Sequence, residues 1–324
     1  MSPLVSVIIP AYNSQATLAD AVASVLAQSL GDFELIVIDD GSSDDTLAIA
    51  RSFSDARIEV VAAPHSGLPA VARNLGLQVA SGEYVAFLDS DDTWQPTKLE
   101  RQLALFSASP EVGAVHCGAV YLVSDEPDAV PLSWRLANPA PPARVLAELL
   151  RRNTIYTPSM VVRRALLERV GGFDPDPRLR GPEDLDLWLR LAEQGAWFGY
   201  LAEPQLVYRV RAGSVSRMRL TDLQGTAVAI ERALTRRPGT YRLLRGVARR
   251  RLSDLYRNLG ALRIAAGDRC GYSNLTRSFR YRSWSWKTWS WLAIGLLGAR
   301  TSAAVHRWRN AAAGSVRGQA GDRR

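Results

Sequence analysis

Residues 84–94 read Tyr84-Val85-Ala86-Phe87-Leu88-Asp89-Ser90-Asp91-Asp92-Thr93-Trp94. The apolar run that ends at Leu88 does not alternate with polar residues, which predicts a strand buried on both faces of a helix-covered sheet. Asp89, Asp91 and Asp92 follow within four residues, and they repel one another unless a cation or a hydrogen-bond donor lies among them. We interpret the stretch as a buried strand that ends at a cation site. An exposed turn with incidental acids is the alternative.

Three further apolar runs precede this strand and alternate with helical patterns. This β-α-β-α order predicts an α/β fold with a doubly wound sheet, whose ligands bind beyond the carboxyl ends of the strands. The predicted elements are the strands Val5–Ile9, Phe33–Ile38 and Ile58–Val61, a helix with Ser14 as candidate N-cap, a helix opened by Ser43, and a helix over Leu68–Ala80.

The sequence after residue 94 is less regular. A flexible loop is predicted where five prolines occur with little periodicity, over Ser124–Pro142. From Thr221 to about Ala266 the pattern is helical and basic, with Leu252, Leu255, Leu259 and Leu262 at helical spacing. The other predicted elements are the strands Val112–Val123, Ser159–Val162 and Leu206–Val210 and a helix near Leu185–Glu193.

The chain has 324 residues, 47% of them hydrophobic, and can therefore bury a sizeable core. Its net charge of +8 is unevenly distributed: residues 1–130 carry 5 Lys and Arg against 18 Asp and Glu, whereas residues 221–324 carry 21 against 5. An acidic first part suits a cation site, whereas a nucleic-acid binder would place basic surface on its main domain. No nucleic-acid partner is expected, and the basic end needs its own explanation.

Two observations bear on the compartment. Cys117 and Cys270 lie far apart and match no metal or redox spacing, so we expect reduced thiols in a cytosolic protein. No charged and apolar leader precedes Val5–Ile9, and the longest apolar stretch near the other end, Trp289–Ala299, is too short to span a bilayer. We therefore expect a soluble, cytoplasmic protein.

A second acidic cluster follows the predicted strand Phe33–Ile38. Asp39 and Asp40 end this strand, and a Gly-Ser-Asp loop and a helix follow them. Carboxylates at a strand end can accept hydrogen bonds from a base or a ribose, while the turn keeps the backbone close to the ligand. An Asx turn with a helix cap explains the same residue types and remains the alternative.

A third acidic cluster opens an amphipathic helix at Glu183 and Asp184. One of these carboxylates could act as the general base that deprotonates an acceptor hydroxyl. The alternative is that first-turn acids complement the helix dipole.

Together these segments resemble the inverting family 2 glycosyltransferases of the GT-A fold. The resemblance covers about residues 3–220 and rests on five linked motifs, each weak alone: Val5–Asn13, Asp39–Ser42, Ala72–Gly76, Leu88–Asp92 and Glu183–Asp184. It implies a Rossmann-like, doubly wound, mixed-sheet catalytic domain over residues 1–220. We expect a helical basic extension over residues 221–300 and a disordered tail over residues 301–324.

The resemblance also implies an activity. A sugar would pass with inversion from a nucleoside-diphosphate sugar, of the UDP type, to the hydroxyl of a glycan or lipid-linked acceptor, with Mn²⁺ or Mg²⁺ as cofactor. Such transfers build cell-surface polysaccharides, glycolipids and related glycans. A nucleotidyltransferase is one alternative, but the basic, Gly-rich triphosphate loop that it would need near the N-terminus is not present in the sequence. A nucleic-acid or membrane-binding protein, prompted by the basic end, is the other.

On the nucleotide side, Tyr12 resembles the aromatic residue of the family that stacks on the base. Pro10 and Ala11 would lie beside it. Asp40 resembles the carboxylate that recognises the nucleobase, and Asp39 would be a second contact.

On the diphosphate side, Asp89 would face the ribose, Ser90 would also bind the donor, and Asp91 and Asp92 would hold the metal ion. Arg73 would position the donor, with a structural ion pair as the alternative interpretation.

Asp184 takes the place of the catalytic base. The chain departs from the family at Arg211, where many relatives carry a histidine, because a guanidinium cannot ligate a metal. Arg211 could instead contact phosphate oxygens or lie in solvent.

Tryptophans and basic residues alternate near the C-terminal end, from Arg280 to Trp291. Half-buried indole rings beside cations suit the headgroup layer of an anionic membrane, at the inner face of the cell membrane. A helical appendage that packs its aromatic rings is the alternative. The segment contains Trp284, Trp286, Trp289 and Trp291, with Arg280, Arg282 and Lys287.

Overall fold

The computed structural model describes residues 2–123, 126–128, 138–210, 220–283 and 285–296. The chain divides into two compact units, Met1–Arg217 and Met218–Arg324. The functional boundaries at residues 220 and 300 stay a prediction, and residues 301–324 lie outside the described residues.

One nine-stranded sheet forms the centre of the first unit. The strands are β1 (Val5–Ala11), β2 (Phe33–Asp39), β3 (Ile58–Ala62), β4 (Tyr84–Phe87), β5 (Thr93–Trp94), β6 (Val112–Val123), β7 (Glu126–Asp128), β8 (Val161–Arg163) and β9 (Trp197–Val210). Their order in the sheet is β3-β2-β1-β4-β8-β6-β9-β5, and β7 pairs with β6.

Seven helices accompany this sheet in the described residues of the first unit, with short 3-10 turns at Thr157–Ser159 and Pro177–Leu179. They are α1 (Leu18–Leu26), α2 (Thr46–Ser52), α3 (Pro69–Val79), α4 (Lys98–Ala108), α5 (Pro142–Arg151), α6 (Arg164–Val170) and α7 (Glu183–Glu193).

The sheet changes direction at β4. Strands β1 to β4 pair in parallel, as their apolar runs predict, whereas β4 pairs with β8 antiparallel. All four residues of β4 are buried. The predicted α/β fold with a mixed, doubly wound sheet is therefore confirmed, and the acids after β4 emerge where the two halves of the sheet meet.

Helix α3 packs closely on the sheet. A Cβ atom at Gly76 would lie 2.5 Å from Cγ2 of Ile8, so only glycine allows this approach. The neighbouring Asn74 exchanges two hydrogen bonds of 2.8 Å with the backbone of Phe173. These contacts fix the helix that carries Arg73 against both halves of the first unit.

Two predicted helix starts are wrong. Helix α1 begins at Leu18 with Thr17 as N-cap, because the Ser14 hydroxyl bonds Ser90 and the backbone of Tyr12 instead of capping a helix. Helix α2 begins at Thr46, whose amide donates to the carboxylate of Asp44, so Ser43 lies before the helix.

The structure also corrects the lengths of two later elements. Part of the predicted loop, Glu126–Asp128, forms a strand with β6, and most of the remainder lies outside the described residues. Strand β9 is much longer than the predicted Leu206–Val210. Pro204 lies within it because register shifts around Gly118 accommodate a residue that cannot donate to the ladder.

The second unit consists of helices in its described residues. They are α8 (Leu220–Arg236), α9 (Arg245–Ala265), α10 (Cys270–Tyr281) and α11 (Trp286–Leu296). Helices α9 and α10 approach closely at Gly260, where a Cβ atom would meet Leu275 at 2.6 Å. The Glu231 carboxylate accepts hydrogen bonds from Tyr256, Tyr281 and Arg277, which links three of the helices.

The tryptophans of the second unit differ in exposure. Trp291 is buried beside Leu275, as the packed-appendage alternative predicts for this ring. Trp286 is 75% exposed and Trp289 48% exposed, while Trp284 lies outside the described residues. In the part of the chain that the structure describes, no helix has the length and hydropathy needed to cross a membrane.

Candidate active site

A cleft of about 340 Å³ opens beyond the carboxyl ends of β1, β2 and β4, where the sheet topology predicts a ligand site. Its walls come from the end of β1, from the loops after β1 to β4 and from α3, together with one residue before α7. They comprise Pro10, Ala11, Tyr12, Ser14, Asp40, His65, Gly67, Leu68, Pro69, Ala72, Arg73, Asp89, Ser90, Asp91 and Arg180.

The cleft brings together most of the residues that the sequence singled out. Asp39, Asp92 and Asp184 do not lie on its walls. Arg211 lies outside the described residues, so contact with phosphate oxygens and exposure to solvent both stay predictions for it. The predicted residues that line the cleft are Pro10, Ala11, Tyr12, Asp40, Arg73, Asp89, Ser90 and Asp91.

Asp40 organises one wall of the cleft. Its buried carboxylate accepts the backbone amides of Ser66 at 2.8 Å and Gly67 at 3.2 Å. The His65 ring also lies beside it, with Nδ1 3.1 Å from Oδ2 of Asp40. Asp40 therefore holds the segment between β3 and α3 in place, in addition to facing the cleft.

The aromatic side of the cleft contains a residue that the sequence analysis missed. Tyr12 is 45% exposed, and its ring stacks on His65 with centroids 3.9 Å apart and planes 19° apart. His65 lies in a segment without hydrophobic periodicity. The only feature of the sequence that could have indicated His65 as a site residue is a polar, ring-bearing side chain between a strand end and a helix.

Asp39 lies behind the wall. Its side chain is buried, and Oδ2 accepts the amide of Ser42 at 3.3 Å. Oδ1 is buried and has no hydrogen-bond partner among the described residues.

Arg73 connects two of the acidic clusters. Its buried guanidinium donates to Oδ1 of Asp89 at 2.7 Å and to Oε1 of Glu183 at 2.9 Å. Burial alone would lower the pKa of Arg73, but the two carboxylates more than reverse this effect, so its pKa is raised. The ion-pair interpretation of Arg73 therefore holds, and the same side chain also lines the cleft.

The acids after β4 have different environments. Asp91 is half-buried and lines the cleft. Asp92 is buried, and its Oδ1 accepts the amide of Arg209 at 2.9 Å. Burial, followed by the charges of Asp89 and Asp91, raises the pKa of Asp92 well above its ordinary value.

The acids after β4 could give a divalent cation a small number of protein ligands. In the described residues no group of three or more His, Cys, Asp or Glu side chains is arranged to hold a metal ion. Mg²⁺ is commonly bound by only one or two carboxylates, with substrate phosphates and water completing its shell. Asp91 on the cleft wall, and the buried, unpartnered Oδ2 of Asp92 behind it, fit such a limited protein contribution.

Asp184 begins α7 together with Glu183, which Arg73 holds. Its half-buried carboxylate accepts two bonds of 3.2 Å from the amide group of Asn153. Burial, with the negative charge of Glu183 as the second cause, raises the pKa of Asp184 to about 7. A carboxyl group with this pKa can change its protonation state near neutral pH, as a general base requires.

We predict that Arg73→Leu destabilises the protein by about 3–5 kcal/mol, because it leaves Glu183 buried without a counter-charge. Urea unfolding measures the loss. Arg101→Leu is the control, since its partner Glu203 is 53% exposed and the pair contributes at most about 1 kcal/mol. The double variant Arg73→Leu/Glu183→Leu should recover part of the stability. An unchanged unfolding midpoint in Arg73→Leu would contradict a structural role for this bridge.

Comparison with known proteins gives the family. The model of glycosyl transferase family 2 matches residues 6–171. A glycosyltransferase of Bacillus subtilis, TuaG, provisionally assigned to teichuronic acid biosynthesis, is 36% identical over 216 residues, which are 66% of this chain and 82% of that protein. The Escherichia coli UDP-Glc:α-D-GlcNAc-diphosphoundecaprenol β-1,3-glucosyltransferase WfaP is 32% identical over 68% of this chain and 82% of its own.

Solved structures agree on the fold. TarS 1–349 of S. aureus, in complex with UDP-GlcNAc, matches with a TM-score of 0.60 at 20% identity and covers 87% of this chain and 89% of that chain. The family model and the sequence relatives support the glycosyltransferase interpretation over the nucleotidyltransferase alternative. The chain belongs to glycosyl transferase family 2 and is a glycosyltransferase.

Proposed function

We propose that this glycosyltransferase moves a sugar from a UDP-type donor to the hydroxyl of a lipid-linked or glycan acceptor, with inversion at the anomeric carbon. The observation that carries the proposal is the cleft, where the stacking ring of Tyr12, the carboxylate of Asp40 and the acids after β4 meet at the strand ends. The names of relatives support the choice of substrates. WfaP is named for UDP-Glc and a diphosphoundecaprenol acceptor, and the TarS complex contains UDP-GlcNAc.

The nucleotide would lie along the β1 and β2 side of the cleft. Tyr12, with Pro10 and Ala11 beside it, offers a partly exposed ring for a base, and Asp40 is the proposed polar contact, with Asp39 behind it. Asp89 and Ser90 would face the ribose. Ser90 is held by the Ser14 hydroxyl at 2.7 Å, which keeps this edge of the cleft fixed before a ligand binds.

Asp91 is the proposed ligand of Mn²⁺ or Mg²⁺, with Asp92 behind it. A divalent cation bound there would supply positive charge to the leaving diphosphate. Asp92 also holds the Arg209 amide of β9. It thereby fixes the backbone on which Asp91 is carried.

Asp184 is the proposed general base. A single displacement requires an acceptor hydroxyl to lose its proton on the face opposite the leaving group, and one positioned carboxylate is sufficient. The Asn153 amide orients this carboxylate. The Arg73–Glu183 ion pair fixes the start of α7 relative to the acids after β4.

We also propose peripheral attachment to the inner face of the cell membrane, in the cytoplasm. Trp286 and Trp289 expose large apolar rings on α11, and Lys287 lies between them in sequence. Residues 221–324 carry 21 Lys and Arg against 5 Asp and Glu, which favours an anionic surface. An acceptor with a lipid anchor would be found at such a surface.

The donor is tested by thermal shift of the purified protein with UDP-, GDP-, dTDP- and CDP-sugars, with and without Mn²⁺. Binding at 100 times Kd should raise Tm by about 5–10 °C, because ligand binding stabilises only the native state. We expect a UDP-sugar to give this shift with Mn²⁺ present.

Asp91→Asn should abolish the part of the Tm shift that depends on Mn²⁺. Asp45→Asn, which changes an exposed acid outside the cleft, should leave that part intact. Full Mn²⁺ dependence in Asp91→Asn would refute the metal assignment.

Asp184→Asn should lower kcat by about 10²- to 10⁴-fold with little change in donor affinity. In the wild type, kcat/KM should rise with pH through about 7, because the Asp184 carboxyl accepts a proton only when it is ionised, above its raised pKa. Initial rates from pH 5 to 9 measure both effects. Asp222→Asn, in the first turn of α8, is the control. A product that retains the anomeric configuration of the donor would exclude the single displacement.

Membrane attachment is tested by flotation with vesicles of phosphatidylcholine and phosphatidylserine. Trp286→Ala/Trp289→Ala should lower the partition coefficient about tenfold or more, because each ring contributes apolar area to the interface. Leu243→Ala removes an 89% exposed side chain of the same unit and should float like the wild type. Equal flotation of the wild type and both variants would show that the exposed tryptophans of α11 do not contribute to membrane attachment.

A further inference from the structure

We propose that Arg180 binds the diphosphate of the donor and stabilises it as the leaving group. This inference rests on the proposed function, since it assigns a further residue to the same cleft. The sequence motifs did not include Arg180, and its assignment comes from its position on the cleft wall.

The backbone around Arg180 is fixed on both sides. On the N-terminal side, Asp176 accepts the amide of Arg178 at 2.8 Å, and the amide of Arg180 donates to Pro177. On the C-terminal side, Gly181 has a φ of +102° and donates its amide to Glu183 at 2.7 Å. The guanidinium is therefore carried by an ordered turn next to the proposed base, and its residue lines the cleft.

Neighbouring arginines are paired with carboxylates, whereas Arg180 is available to bind a ligand. Arg73 is occupied by Asp89 and Glu183, and Arg178 by Asp176. Within residues 2–123, 126–128, 138–210, 220–283 and 285–296, the Arg180 side chain has neither a carboxylate partner nor a hydrogen bond, and it is exposed. A cation that lines a substrate cleft without an internal partner is placed to bind an anionic ligand.

The chemistry of the guanidinium points to phosphate oxygens. Its planar donors can bind two oxygens of a phosphate at once, which an ammonium group cannot do with the same geometry. Charge builds up on the diphosphate as the bond to the sugar breaks, so a fixed cation there acts most strongly in the transition state. Arg180 lines the same cleft as Asp91, the proposed metal ligand, and stands four residues before Asp184 in the sequence.

The test is calorimetric titration of the wild type, Arg180→Gln and Arg178→Gln with UDP and with uridine, in the presence of Mn²⁺. Arg180→Gln should weaken UDP binding by about 10- to 100-fold, the range for a lost charge-assisted hydrogen bond, and leave uridine binding within twofold. Arg178→Gln, two residues away and paired with Asp176, should match the wild type with both ligands. Arg180→Lys should recover part of the lost affinity. Because Arg180 is exposed, all variants should keep the wild-type Tm.

Two results would overturn the inference. One is UDP affinity that Arg180→Gln leaves unchanged, and the other is an equal loss of UDP and uridine binding. If the unchanged UDP affinity came with a raised KM for a diphosphate-linked acceptor, Arg180 would instead be assigned to the acceptor phosphate. A wild type that binds none of UDP, GDP, dTDP or CDP would instead contradict the proposed function itself.

Discussion

The buried guanidinium of Arg73 is the constraint on which the cleft depends. It joins Asp89, 16 residues away, to Glu183, 110 residues away. A buried charge cannot lose its counter-charges without a large cost in free energy, so the helix, the β4 loop and the start of α7 must stay together. The proposed metal ligand follows one carboxylate of this bridge, and the proposed base follows the other. A single side chain thus links the two segments that carry the proposed metal ligand and the proposed base.

The sequence could predict the sheet and the strand ends because their signals are local. Continuous apolar runs define β1, β2 and β4, and carboxylates directly after them must lie at the same edge of a parallel sheet. Residue type alone does not separate Asp39 from Asp40, and only the family resemblance names Asp40 as the main contact. In the structure Asp40 lines the cleft while Asp39 lies behind it.

Other features depend on contacts between distant segments, and such contacts cannot be predicted from composition or periodicity. His65 and Arg180 lie in irregular segments and reach the cleft only through the bonds that hold their backbones. Strand β9 continues through Pro204 because a partner strand shifts register around Gly118, a tertiary effect that overrides the local preference. The tryptophans of α11 look alike in sequence, yet their angular positions on the helix separate buried Trp291 from exposed Trp286.

The reversal of strand direction at β4 also has a consequence for synthesis of the chain. Once residue 87 has left the ribosome, β1 to β4 can pair in parallel, but the other edge of β4 gains its partner only when Val161–Arg163 has been made. At 5–20 residues per second this delay lasts roughly 4–15 s. During that interval a buried apolar strand has an open edge, the kind of surface that invites pairing with other nascent chains and engagement by chaperones.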